Sequence, residues 1–422
     1  MKDIDPDAVF VLNRLDEAGF SAYLVGGSVR DFYLGKIPKD FDISTNARPG
    51  QVRRLFPRSA IIGRRFRLVE VFFPGGKIIQ ISTLRSLSEH DIDSPDSVLA
   101  PNNTFGTIEE DAQRRDLTIN SLFFDIKDES VIDYVGGVED LQKGLIRLIG
   151  NPERRLHTDP VRALRAIRHA VRSGFMIEEA TWQAILHHCQ KLSLCPPSRI
   201  RDEILKDLRS GAAANWLEMC LGAGVFQVIF PLYRDTSMDA SQIAEQTALL
   251  RVLDRLCQNG KTPKADSFLF SLLVIPYAER KYQLFSEKRP SATLYQIGKK
   301  LRADIDAELA QPLNLARAVR QEIAALLTQL ATLLHHRTAT GWPKWLRGKS
   351  YFAGTAFLCH LYLEAMGEET AFSKIKWPET LEPVPVPSPV PPPASPPKTA
   401  VLPKPVLLVG SERPGGIFGL RK

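Results

Sequence analysis

The sequence predicts an α+β protein: an N-terminal head around a small mixed β-sheet, followed by an all-α neck and body. Three observations carry this. Short runs rich in β-branched and apolar residues, separated by glycine-containing turns, crowd roughly the first 150 residues. From about 151 to 375 the apolar residues recur at helical spacing and strand signals become sparse. Twelve prolines then fall between Pro378 and Pro405, a composition that builds no packed core. The expected organisation is a head over 1–150, a helical neck over 151–235, a helical body over 236–376 and a disordered Pro-rich tail over 377–422.

Taken in order, PDAVFVLNRLDEAG (6–19) has the apolar spacing of an amphipathic helix. AYLVGG (22–27), DFDIST (40–45), RLVEVFF (67–73) and KIIQIST (77–83) read as strands. The polar stretch 86–106 has no periodicity, and a loop that long inside a compact domain tends to be functional or mobile. VRALRAIRHAVRSG (161–174), ATWQAILHHCQKL (180–192) and SRIRDEILKDLRSG (198–211) read as helices. The last thirteen residues, GSERPGGIFGLRK, read as a flexible basic end.

With 422 residues, 44% of them hydrophobic and 24% charged, the chain buries more than one core. That excludes a wholly disordered, collagen-like or disulfide-stapled protein. No apolar run is long enough for a transmembrane helix, and MKDIDPDAVF does not resemble a secretory leader. The five cysteines are odd in number and scattered, which fits reduced thiols in a cytoplasm and argues against a cysteine-ligated zinc. A formal charge of +7 raises the expectation of an anionic partner, chiefly nucleic acid or nucleotides.

Four groups of residues carry chemistry. Gly26-Gly27-Ser28-Val29-Arg30-Asp31 directly follows an apolar strand. Glycines let backbone approach a ligand, a following helix aims free N–H groups at phosphate, and Arg30 adds a charge-assisted contact. Gly-Gly alone is more often a plain strand–turn–helix corner. Asp40-Phe41-Asp42 follows about a dozen residues later. On a strand, positions i and i+2 share a face, so both carboxylates converge while Phe41 turns into the core. Two such charges need a cation, and Mg²⁺ is the natural one where phosphates are present. Two metals ~3.5–4 Å apart activate an attacking hydroxyl and stabilise a leaving pyrophosphate. Arg114, Arg115 and Asp116 precede an apolar stretch and are expected near a helix start. Asp159 and Arg162 lie three apart on one helix face, with Arg165 on the same side. One acceptor and one fork of donors suit the edge of a base. Asp159 before Pro160 also reads simply as a helix cap.

These motifs resemble, in order, those of the class II nucleotidyltransferases, the tRNA CCA-adding enzymes and bacterial poly(A) polymerases. YLVGGSVRDFYLG and KDFDIST are followed by EEDAQRRDLTINSLFFD (109–125), YVGGVEDLQKGLIRLIGNPERR (134–155), TDPVRALRAIR (158–168) and PPSRIRDEILKDL (196–208). The resemblance covers roughly residues 20–235. It implies a nucleotidyltransferase that selects its nucleotide with protein side chains rather than a template. It implies Asp40 and Asp42 as metal-holding catalytic carboxylates, and Asp116 and Asn120 at the catalytic cleft. It further implies nucleotide binding by Gly26, Gly27, Arg30, Arg115 and Asn120, with Asp159 and Arg162 on the base edge and Arg165 on phosphate or ribose.

One block separates the two branches. Ile61-Ile62-Gly63-Arg64-Arg65-Phe66-Arg67-Leu68-Val69-Glu70-Val71, with Lys39-Asp40 and FGTIEEDAQRRD, resembles the poly(A) branch. Arg64, Arg65 and Arg67 suit a nucleic-acid backbone. The expected activity is addition of AMP from ATP to RNA 3′ ends, as in RNA polyadenylation and mRNA processing. CCA addition to tRNA, or A- or CC-addition alone, is the alternative. Departures from the pattern are Glu70 for His, Gln80 for Glu, Thr158 for an acidic residue and His169 for Phe. Glu70 is expected to restore the carboxylate that Gln80 removes. Near the end, Lys344, Trp345 and Arg347 interleave cations with an aromatic ring and suit RNA, although a core-packed tryptophan pair with a basic rim explains the same residues.

Overall fold

The computed structural model describes residues 4–38, 40–63, 67–86, 105–234, 238–338, 341–368, 406–409 and 418–421. Two compact units emerge. The first comprises Met1–Arg162, Ser173–Ala184 and Pro393–Lys422, the second Ala163–Arg172 and Ile185–Pro392.

In the first unit, helix α1 (Pro6–Glu17) starts where the Asp5 side chain accepts the Asp7 N–H. It buries Ala8, Val11, Leu12 and Leu15, the stripe its spacing predicts. A seven-stranded sheet follows: β1 (Ala22–Val25), β2 (Asp42–Thr45), β3 (Ser59–Ile62), β4 (Leu68–Phe72), β5 (Ile78–Thr83), β6 (Phe123–Asp125) and β7 (Ser130–Ile132), in the spatial order β3-β4-β5-β2-β1-β6-β7. All neighbours are antiparallel except β2 and β5, so the sheet is mixed, as predicted. Its helices are α2 (Gly27–Tyr33), α3 (Pro49–Leu55), α4 (Ile108–Arg114), α5 (Gly137–Lys143) and α6 (Pro152–Thr158). The fully buried Leu24, Ile43 and Phe123, with the nearly buried Ile81, give the sheet its apolar face.

The second unit is helical among its described residues. The chain continues through α7 (Val161–Ser173), α8 (Glu179–His188), α9 (Pro197–Leu208), α10 (Ala213–Gly222), α11 (Val225–Ile229), α12 (Ala240–Gln258) and α13 (Asp266–Tyr282), then α14 (Ser291–Glu308), α15 (Arg317–His336), α16 (Lys344–Arg347) and α17 (Phe352–Ala365). Trp216, Phe226, Phe230, Phe268 and Phe357 are fully buried in it. Helix α13 contains Pro276, which has no N–H for the Leu272 carbonyl one turn back. The buried Gln246 of α12 donates Nε2 to that carbonyl at 3.0 Å. A side chain thus replaces the hydrogen bond that proline removes.

Within the seven-stranded sheet, three strands lie where the sequence showed none: β3, β6 and β7, which are only three or four residues long; so do Leu145–Ile146 and Met176–Ile177, paired parallel outside it. Of the Pro-rich tail the description covers two short strands, Val406–Val409 and Phe418–Arg421, paired antiparallel. The rest of that stretch, and most of the 86–106 loop, lie outside the described residues. No helix among the described residues is long and apolar enough to cross a membrane.

Candidate active site

The site starts at the corner after β1. Gly26 adopts φ +76° and ψ −129° and caps α2, a backbone region that a side chain would strain. Its N–H donates to the Leu122 carbonyl at 3.2 Å. Helix α2 is only seven residues long. Arg30, on its inner face, donates Nη1 to Asn120 Oδ1 at 2.8 Å, and Nε and Nη2 to Asp31 at 3.0 and 2.8 Å. Two predicted nucleotide residues, Arg30 and Asn120, are therefore joined to each other across ninety positions of sequence.

Strand β2 begins at Asp42, and Asp40 stands just before it. Phe41 between them is 9% exposed and packs on Phe32, so the inward turn of Phe41 holds. The Asp42 carboxyl is held above the usual carboxylate range by desolvation first and by the neighbouring Asp40 charge second. The Arg115 guanidinium opposes both. The two carboxylates thus feel each other, and clustered oxygen donors with excess negative charge fit a hard divalent cation.

Register widens the site. Asp42 of β2 stands opposite Gln80 of β5, and Gln80 stands opposite Glu70 of β4. Gln80 donates Nε2 to Glu70 Oε1 at 3.2 Å. The three side chains form one row across three strands, with the amide between the carboxylates.

Arg114 and Arg115 sit at the end of α4, not at a helix start: Arg114 is its last residue and Arg115 its C-cap. The apolar stretch that follows forms only a single 3-10 turn, Thr118–Asn120, while the preceding polar helix carries the two cations at its C-terminal end, where its dipole favours them. Asp111, one turn back and 4% exposed, organises both. It accepts from Arg114 Nε at 3.2 Å and from Arg115 Nε and Nη2 at 3.0 and 2.8 Å. Arg115 Nη2 also donates to Ser44 of β2 at 3.0 Å, and its guanidinium lies 5.0 Å from the centre of the Phe123 ring. Sequence reasoning passed over Asp111 and Ser44. The i, i+3 and i, i+4 spacing of Asp111 to the two arginines was the available signal.

Asp116 follows, its Oδ1 accepting the Leu117 N–H at 2.9 Å and its carbonyl the Ile149 N–H at 3.0 Å. Arg162 reaches the same segment, donating Nη1 to the Arg115 carbonyl at 3.0 Å and Nη2 to the Arg114 carbonyl at 3.2 Å. Its Nε lies 3.8 Å from Asp159 Oδ2. Asp159 C-caps α6, and its carbonyl accepts the Arg162 N–H at 3.1 Å where α7 begins at Val161. Arg165 lies in the second unit, 4.0 Å from Glu203, which also pairs with the buried Arg168.

Of the predicted RNA contacts, Arg67 is exposed, and Arg64 and Arg65 lie outside the described residues. Lys344, Trp345 and Arg347 form the short exposed side of α16. Trp342 beside them packs edge-on against Phe352 and His360 and donates Nε1 to the Leu333 carbonyl. Of the tryptophan pair, Trp342 packs within the helical unit and Trp345 is exposed.

The family described as "Poly A polymerase head domain" matches residues 22–147, and "Probable RNA and SrmB- binding site of polymerase A" matches residues 174–236. The CCA-adding enzyme of Lactobacillus gasseri is 33% identical over 328 residues, covering 73% of this chain and 80% of that protein. The chain belongs to the class II nucleotidyltransferase superfamily. Within this superfamily, poly(A) polymerase I of Salmonella typhi is 48% identical over 237 residues, 54% of this chain. The matched stretch is 51% of that relative, so the chain spans about half the length of the poly(A) polymerases it matches. The CCA-adding enzyme of Bacillus stearothermophilus, solved with CTP, superposes with a TM-score of 0.61 at 24% identity, covering 86% of this chain and 79% of that one. It shares the fold of this chain.

Proposed function

We propose that the protein is a template-independent polynucleotide adenylyltransferase, adding AMP from ATP to RNA 3′ ends. The observation that carries nucleotidyl transfer is the convergence of Asp40 and Asp42 with Arg115, which Asp111 and Ser44 hold against β2. In this reading Asp40 and Asp42 hold Mg²⁺, which when bound supplies the positive charge that favours ionisation of the attacking hydroxyl and departure of pyrophosphate. Arg115 offers charge to the triphosphate, its Nη1 taking part in none of the bonds that brace it. Arg30 holds Asn120 at the turn before β6. The primer's 3′-oxygen bonds to the α-phosphorus of ATP, the bond from that phosphorus to the bridging oxygen breaks, and pyrophosphate leaves. The Glu70–Gln80 pair positions the row that ends at Asp42. Arg64, Arg65 and Arg67, with Trp345 and its flanking cations, are proposed RNA contacts. Five free cysteines, four of them buried, agree with a reducing compartment such as the cytoplasm.

The poly(A) specificity rests on the 48% identity to poly(A) polymerase I. A second reading, CCA or partial CCA addition to tRNA, is favoured by the greater share of the Lactobacillus gasseri relative that the chain spans. Primer extension separates the two. Purified protein with Mg²⁺ receives each NTP singly, on oligo(A) and on tRNA lacking one, two or three terminal nucleotides. A long ladder with ATP alone on oligo(A) is expected. Growth that stops at CCA, on tRNA only, overturns the adenylyltransferase reading. Asp40→Asn and Asp42→Asn should each reduce incorporation to background while leaving RNA retention on filters unchanged.

A further inference from the structure

We propose that Phe72, Ile78 and Arg58 seat the last nucleotide of the primer, its base stacked on the Phe72 ring, on the face of the head sheet that carries the acid row. This rests on the reading of the chain as an adenylyltransferase and names the primer end that it prefers.

Phe72 of β4 stands opposite Ile78 of β5. Phe72 is two residues from Glu70 and Ile78 two from Gln80, so both share the face of the row that ends at Asp42. Parallel pairing of β2 with β5 brings Ile78 level with Asp40. The Phe72 N–H donates to the Arg58 carbonyl at 2.9 Å, which sets the exposed Arg58 at the far end of the same line. A second line thus runs beside the acid row: a carboxylate, an aliphatic side chain, an aromatic ring and a cation. Phe72 is 40% and Ile78 46% exposed, whereas Val71 and Ile79 beside them are buried on the opposite face. Two large apolar side chains facing water side by side suit a surface that a ligand covers.

The position names the ligand. Arg115, which the proposed reaction gives to the triphosphate, is bonded to Ser44, two residues past Asp42. The Ile78–Phe72 line lies on the other side, two residues before Asp42. Phosphoryl transfer sets the attacking and leaving oxygens roughly in line. With pyrophosphate leaving towards Arg115, the attacking nucleotide arrives over Ile78 and Phe72. Two strand spacings separate the Asp40 and Phe72 backbones, roughly 10 Å, so a 3′-oxygen at the aspartates leaves its ribose over Ile78 and its base over the ring. Arg58 then faces the phosphate on the 5′ side. A base with a larger π-face stacks more strongly, so the seat favours a primer ending in a purine. Each addition of AMP renews such an end.

The test uses the full chain and two readouts. The first compares oligo(A) with the same strand ending in an abasic ribose that keeps its 3′-hydroxyl. Loss of the terminal base should lower kcat/KM of the parent about tenfold, through the KM for primer. Phe72→Ala should use both primers alike, with the KM for ATP unchanged, and Phe72→Trp should restore the preference. The second needs no incorporation. A primer with 5-iodouridine at its last position should photo-cross-link to the peptide containing Phe72, and a label several nucleotides back should not. If Phe72→Ala keeps the full preference for the terminal base, or the terminal label joins another peptide, the seat is wrong. A cross-link at Phe72 without incorporation on any primer would keep the seat and remove the enzyme. Incorporation with a preference independent of Phe72 would do the reverse.

Discussion

At the scale of residues, the site depends on groups that hold the chemical groups in place. Asp111 is the clearest. It is nearly buried and takes four donors, the Arg85 N–H at 3.2 Å and those of Arg114 and Arg115. Asp111→Asn leaves two guanidiniums without their partner and should cost about 3 kcal/mol of stability. Urea unfolding checks the stability, and the KM for ATP should rise as Arg115 loses its bearing on β2. Glu70 is the second case. Strand spacing puts its backbone roughly 10 Å from that of Asp42, two ladder steps away, so it acts through Gln80 rather than beside Asp42. Glu70→Gln should lower the incorporation rate and shift its Mg²⁺ titration to higher concentration. Superimposable titrations for parent and variant would show that Glu70 does not compensate for Gln80.

At the scale of elements, two close fits decide whether the pieces hold. Gly137 begins α5 against the turn that carries Asn120, and a Cβ there would stand 2.3 Å from the Thr118 carbonyl oxygen. Gly137→Ala must push backbone apart, with an expected loss of about 2 kcal/mol. Weakened nucleotide binding should accompany it, because Asn120 moves with the turn. In the helical unit, Gln246→Leu strands the Leu272 carbonyl that Pro276 already deprives of a donor. Burial of that carbonyl predicts a cost of about 2 kcal/mol, read by thermal denaturation. The double variant Gln246→Leu with Pro276→Ala should recover part of the loss, since the alanine N–H returns the missing bond.

At the scale of the whole molecule, acidity acts through the helical unit. Burial, and then the Glu279 charge, push the Glu245 carboxyl up to about 7. The unfolded chain releases that proton near its ordinary value of 4.5, while the folded chain keeps it. Stability from this group is therefore complete below about pH 4.5 and is lost as pH rises towards 7. Glu245→Gln should flatten the pH dependence of melting across that window and raise stability at pH 8 by about 1 kcal/mol, discounted for partial solvent access.

Much of this was legible in the chain itself. Strands β1, β2, β4 and β5 and helix α1 were readable because their apolar periods were long enough to count. Asp40, Asp42 and the arginines stood out by local spacing, which a linear text preserves. The short strands β6 and β7 carried too few residues to show a period, and only pairing with β1 and with each other makes them strands. The Arg30–Asn120 bond, the Glu70–Gln80–Asp42 row and the joining of Arg162 to the carbonyls after α4 come from packing between distant segments. Sequence determined which chemical groups the protein brings, because residue type and neighbour spacing set charge, period and donor geometry. Only the tertiary structure decided which groups meet and which serve as braces, because side-chain contacts are made through space by register and packing.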